Sequence, residues 1–160
     1  IWENRSEITA QLLNPAFCSE IIWTCVKTFK METNSSFPFS LSFLILPLIL
    51  SNSIRERLPK TKAGTIHKWI NENEDLKIGL VSKISSFVPF TKEAVMFGLN
   101  HKILSITENG LIDLDLSKKI KVTTANDEVK NCLKKAELIG KILSHSGNPV
   151  TVYSILGIKP

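Results

Sequence analysis

Nowhere does this chain hold the roughly 20 consecutive apolar residues that a helix needs to cross a bilayer. Its longest apolar run, Phe37-Pro-Phe-Ser-Leu-Ser-Phe-Leu-Ile-Leu-Pro-Leu-Ile-Leu50, stops at fourteen residues and contains two serines and two prolines, Pro38 and Pro47. The only charge between Met31 and Arg55 is Glu32, so the run has no charged face to turn toward water. It reads as a helix buried on most sides, by its own domain or by a partner, with no membrane involved. Catalytic signatures are missing as well. His67, His101 and His145 have no ligand at helical spacing, and there is no Gly-rich phosphate loop and no Gly-x-Ser-x-Gly elbow. Asp113 and Asp115 are expected on one face of a strand, but a metal needs a third ligand that the sequence does not supply. No enzyme, cofactor or metal is expected.

Cysteine is scarce too. Cys18, Cys25 and Cys132 make an odd count with no Cys-x-x-Cys spacing. Cys18 and Cys25, two helical turns apart, are expected on one helix face as small apolar fillers, reduced thiols of a cytosolic protein. The opening Trp2-Glu3-Asn4-Arg5 leads into no apolar signal region, which gives the same expectation of a cytoplasmic location.

What is present suits one domain over residues 1–160. The chain is 43% hydrophobic and 22% charged, with 20 basic against 15 acidic residues. That composition belongs to folded proteins, and a net charge of +5 is compatible with a phosphate-bearing partner without requiring one. Three parts are expected: N-terminal helices and a basic loop over 1–64, a helix–hairpin unit over 65–124, and a C-terminal helix with a docking tail over 125–160.

Asn14-Pro15 starts the first helix, Asn capping free amides and Pro taking a position whose N–H has no partner. Phe17, Ile21, Ile22, Cys25, Val26 and Phe29 give it an apolar stripe, and residues 30–36 read as a loop. Pro38 is expected to open the buried helix, running to about Asn52 with a break near Pro47. Thr65 is expected to cap a short helix carrying Ile66, Trp69 and Ile70. A helix over 76–88 is expected to end at Pro89, with Thr91 capping another through Ala94, Val95, Phe97 and Gly98. The period then changes to two. Residues 102–107 and 111–116 flank Glu108-Asn109-Gly110, the turn chemistry of a hairpin. Lys118 to Thr124 reads as a basic connector, with Ile120 and Val122 in a short strand. A helix follows from Asp127 to about Leu143, and the apolar segment 150–156 is expected to dock.

Helices followed by an Asn-Gly hairpin form a winged-helix-like order, in which the helix before the wing often enters the DNA major groove. Here that helix offers Lys92, Asn100 and His101 but also Glu93, and the wing carries Glu108, Asp113 and Asp115. Base-reading helices show several Arg, Asn or Gln residues, so sequence-specific DNA reading is not expected. The basic residues lie elsewhere: Arg55, Arg57, Lys60, Lys62 and Lys68 in one cluster, Lys118, Lys119 and Lys121 in another. These are the candidates for contact with DNA phosphates or an acidic partner, without base specificity.

A family resemblance then emerges from residues in order. Arg5-Ser-Glu-Ile8 leads into Leu12-Leu13-Asn14-Pro15-Ala16-Phe17. Pro38-x-Ser-Leu41-x-Phe43-Leu-x-Leu46-Pro47 follows, then Arg55-x-x-Leu58-Pro59, Trp69-Ile70, Glu93-Ala94, Phe97-Gly98 and Leu156-Gly157-Ile158-Lys159-Pro160. From about residue 2 to residue 160 the chain resembles a middle component of bacterial three-component ABC-ATPase anti-phage defence systems, the type that includes Lamassu. The resemblance implies a non-catalytic subunit between an SMC/Rad50-like ATPase and an effector, often a nuclease, that helps hold the effector inactive until foreign DNA is sensed. It supplies no catalytic residue. Asn14, Pro15, Phe17, Pro47, Leu58, Pro59, Trp69, Gly98 and Gly157 are expected to be structural. The fold class expected is α+β, mainly α, with a winged-helix-like unit.

Overall fold

The Asn14 side chain accepts the Ala16 amide at 2.8 Å, and with Pro15 in the first turn it opens helix α1 (Pro15–Thr33) as the cap chemistry requires. The computed structural model describes residues 13–61, 64–118 and 126–158. The expected strand around Ile120 and Val122 lies outside them. α1 runs four residues into the expected loop. Thr33 Oγ1 donates to the Phe29 carbonyl at 2.8 Å, and Asn34 closes the helix in the left-handed conformation, φ 55°.

α1 is buried nearly all round, because other helices cover two of its faces. The others are α2 (Ser42–Leu50), the single turn α3 (Asn52–Arg55), α4 (Ile66–Glu72), α5 (Glu74–Asn100), α6 (Asp127–Ser144) and α7 (Pro149–Leu156). α1 packs most extensively on α6 and α5. Glycines set both approaches. A Cβ at Gly140 would meet the Cys25 carbonyl oxygen at 2.6 Å, and one at Gly98 would meet Leu104 Cδ1 at 2.6 Å and Ser19 Oγ at 2.8 Å.

The apolar run is covered by its own chain. Leu44, Ile45, Leu46, Leu48 and Ile49 are 0–1% exposed, and α2 packs against α1, α5 and α6. The expected helix from Pro38 is shorter, and Pro47 does not break it. A 3₁₀ turn (Phe39–Leu41) comes first, Ser42 Oγ bonds the Phe39 carbonyl at 2.6 Å, and Pro47 sits inside a continuous helix.

Two expected helices are one. α5 continues through Pro89 for 27 residues, and Thr91, expected to be a cap, is an interior residue 1% exposed. The missing Pro89 N–H leaves only the Ser85 carbonyl short of a partner. Pro89 and Ser85 are both exposed, so water can satisfy that carbonyl and the helix tolerates the lost bond.

The hairpin turn forms where expected, with Gly110 at φ 77° and its N–H bonded to the Thr107 carbonyl at 2.9 Å. The strands are shorter: β1 (Ser105–Ile106) pairs antiparallel with β2 (Ile112–Asp113). Leu104 is held instead by the carbonyl of Gly98 at the end of α5. Phe37 takes the outer edge of β2, exchanging two 2.8 Å backbone hydrogen bonds with Ile112. Asp115 falls past the strand and accepts from Ser117 N–H and Oγ, so it does not share a strand face with Asp113.

α6 and α7 start on Asn caps, Asn126 accepting from Val129 N–H at 2.8 Å and Asn148 from Thr151 N–H at 2.9 Å. The docking tail is thus a helix. Val152, Tyr153 and Leu156 are buried, the Tyr153 hydroxyl donates to the Ser40 carbonyl, and Gly157 ends the helix at φ 74°. Buried side chains from Cys18 to Leu156 form one cluster, and among the described residues the fold is mostly helical with one two-stranded sheet.

Candidate partner-docking surface

The described basic residues differ in how far they can reach a partner. Arg55 is 3% exposed. Its Nη1 donates to the Ile49 carbonyl at 2.9 Å and to Cys132 Sγ at 3.2 Å, while Nη2 reaches Asn52 Oδ1 at 3.0 Å and Glu128 Oε1 at 3.3 Å. It ties the end of α2 to α6, and an outside phosphate cannot reach it. Arg57 is exposed but engaged, gripping Asp75 through both amino groups at 2.5 and 2.9 Å and Asn73 at 2.9 Å. The side-chain hydrogen bonds between Arg57 and Asp75 raise the guanidinium pKa and lower that of the carboxyl. Lys68 lies 4.0 Å from Glu72. Lys60 and Lys118 are exposed, and Lys118 borders a shallow cleft with Lys102, Leu104 and Asp115. Lys62, Lys119 and Lys121 lie outside the described residues.

The motif residues are scaffold. Leu58 and Trp69 are buried, the Trp69 indole N–H donating to the Arg57 carbonyl at 2.8 Å. Phe17 is half-buried against the core, Pro59 is half-buried beside Leu58, and Pro47 is fully inside.

A groove that sequence reasoning did not single out runs between α1 and α6, with a volume of about 470 Å³. Glu20, Trp23, Thr24, Lys27, Thr28, Met31 and Glu32 line it from α1, and Leu133, Glu137 and Lys141 from α6. Lys27 Nζ stands 4.9 Å from the Trp23 ring centroid, and Lys141 pairs with Glu32 at 3.4 Å. Glu20 is only 6% exposed, its Oε1 has no hydrogen-bond partner, and burial pushes its pKa up. The signal in the sequence was an acid set among Cys18, Ile21, Ile22 and Trp23, on a helix apolar around it.

Burial pushes the Cys18 thiol up to about 12 and raises those of Cys25 and Cys132, so the three are protonated and inert at neutral pH. Among the described residues no group of three or more His, Cys, Asp or Glu is placed to hold a metal, and no helix is long and apolar enough to cross a membrane. What the site offers is shape, apolar area and charge, the means of a binding surface.

No curated protein and no solved structure matches the chain. A family model, by contrast, matches residues 2–160, nearly the full length. Its span takes in the Asn14-Pro15 cap, the Pro47 helix, the Leu58-Pro59 turn, Gly98 and the Gly157 cap, which start, end or pack the helices. On that match the chain belongs to the ABC-three component (ABC-3C) system Middle Component 3 family.

Proposed function

We propose that this chain is the non-catalytic middle subunit that links an SMC/Rad50-like ABC ATPase to an effector in anti-phage defence, and helps keep the effector inactive until foreign DNA is sensed. The effector is taken to be a nuclease. The observation that carries the reading is the family match across residues 2–160, since a middle component has other components of its system as partners. One feature of the structure supports it: the α1–α6 groove offers a binding surface. The test is co-expression with the products of neighbouring genes. A stable hetero-oligomer, with effector toxicity rising when this subunit is deleted, is the expected result. Free chain with no co-purifying component, or no change in toxicity, overturns it.

A second reading is a sequence-independent DNA-binding subunit built on a winged-helix-like unit of α4, α5 and the hairpin. Exposed Lys60, Lys68 and Lys118 favour it. Reversing those three charges should then abolish salt-sensitive DNA binding by the complex, and unchanged binding removes this reading.

A further inference from the structure

Glu20 is poorly explained by the packing of its own helix. A carboxylate shut away from water is normally paired or hydrogen-bonded through both oxygens, because its hydration must be replaced. Glu20 is 94% removed from solvent, being 6% exposed, and its Oε1 meets no donor. Ile21 and Ile22 beside it are fully buried, so an apolar residue would fit the local pattern. The acid instead lies at the floor of the α1–α6 groove.

The charges around it are mostly committed. Lys27 lies over Trp23, and Lys141 is paired with Glu32. Glu137, exposed at the rim, joins none of the ion pairs among the described residues. Glu20 and Glu137 thus stand outside any ion pair against Lys27 alone, so the groove carries an excess of one negative charge. Its volume of about 470 Å³ lies within the range of about 300–1,000 Å³ typical of ligand sites. The surface also extends beyond one ligand's length, continuing into a neighbouring depression that shares Leu133 and Glu137. Met31 stands at the groove 66% exposed, a flexible apolar side chain of the kind that adapts to protein partners.

We propose that this groove receives a basic side chain, arginine or lysine, from a partner protein of the same complex, its cationic head bonding Glu20 and its aliphatic stem lying along Trp23 and Leu133. The proposal rests on the adaptor reading, which supplies the partner. The chemistry follows from the site. A charge-assisted hydrogen bond to an unpaired, nearly buried carboxylate is among the stronger polar contacts available. A long basic side chain buries its stem on apolar surface while its head finds the acid. Glu20 is unfavourable in the free subunit and becomes favourable on docking, so its presence weakens the isolated fold in exchange for recognition.

The experiment uses the co-expressed complex and the full chain. Glu20→Gln keeps the shape and removes the charge. The affinity of the variant for the partner component should fall at least about tenfold, while the Tm of the isolated chain stays level or rises. Glu56→Gln, at an exposed position outside the groove lining, should change neither. A photo-crosslinking residue at Met31 should attach to a segment of another component that carries arginine or lysine. Unchanged affinity of Glu20→Gln, a fall in its Tm, or crosslinks only to a second copy of this chain overturns the groove proposal while leaving the adaptor reading in place. A wild-type chain that co-purifies with no component overturns the adaptor reading and this proposal together.

Discussion

Arg55 and Glu128 meet at 3.3 Å across a sequence separation of 73 residues, and they do so from unequal positions. The arginine is 3% exposed, whereas the glutamate side chain is about a third exposed. The guanidinium also holds the Ile49 carbonyl and Cys132 Sγ, so it satisfies groups that have no access to water. Removing it leaves those groups unpaired, and removing Glu128 does not. Arg55→Met should destabilise the chain by about 2–4 kcal/mol, Glu128→Gln by no more than about 1 kcal/mol, and Lys60→Met by less than about 0.5 kcal/mol. Urea unfolding of the three variants orders them. Equal losses for Arg55 and Glu128 would show that the pair, and not the buried carbonyl, carries the energy.

The glycines give a graded series. At Gly140 an added Cβ meets backbone, the Cys25 carbonyl oxygen at 2.6 Å, and backbone cannot swing aside. Gly140→Ala should therefore lose about 1–3 kcal/mol from overpacking, outweighing the helix-propensity gain of about 1 kcal/mol. At Gly98 the nearest atoms are ends of the Leu104 and Ser19 side chains, which can move, so Gly98→Ala should lose less. Gly79 has nothing within 4 Å, and Gly79→Ala should gain about 0.5–1 kcal/mol. Thermal unfolding of the series tests whether α1 is held at glycine-limited distance.

Pro89→Ala should stabilise α5. The substitution restores a helical hydrogen bond to the Ser85 carbonyl on an exposed face and relieves the ring clash one turn back. A gain of about 1 kcal/mol or more in denaturant unfolding is expected. A loss instead would show that Pro89 sets a bend in the helix that the core depends on.

Two carboxylates should give stability profiles of opposite sign with pH. Burial raises the Glu20 pKa, so its contribution is most favourable below its unfolded value of about 4.3 and is lost as pH rises through the folded value. Glu20→Gln should match the wild type at low pH and equal or exceed it near neutrality. Lys27, Glu32, Glu137 and Lys141 also line that groove. Burial pushes the Asp113 carboxyl up, but hydrogen bonds from Lys30 and the Leu114 amide, at 2.7 and 2.8 Å, leave it lowered overall. Its contribution is present above the unfolded value of about 3.9 and is lost as pH falls through the folded value. Asp113→Asn should thus trail the wild type near neutrality and converge with it in acid. Tm measured between about pH 3 and pH 8 separates the two.

Local chemistry explains which elements could be read from the chain. Asn14, Thr65 and Asn126 cap helices with their own side chains, and Asn109-Gly110 makes its turn from within. The part of the resemblance carried by Gly157 was legible for the same reason, since that residue ends its helix from its own position. Pro89 misled because its effect depends on which side of α5 faces water, and tertiary packing decides that. Arg55 looked like a surface cation because its partners Cys132 and Glu128 are more than 70 residues away. The α1–α6 groove was invisible for a related reason: its two walls are separated in sequence, and Glu20 shows itself as unpaired only once both are in place.

Coverage of α2 by α6 has a consequence during synthesis. The most apolar segment of the chain, ending at Leu50, leaves the ribosome long before Asp127–Ser144 exists. At about 5–20 residues per second the delay is roughly 5–20 s. Through that interval the nascent chain displays a sticky, nearly uncharged helix whose cover is incomplete. Holdase chaperones, or a partner subunit made nearby at the same time, would have their best opportunity to engage it then. Yield in cells should accordingly depend on translation speed between residues 50 and 144 more than on the final stability of the folded chain.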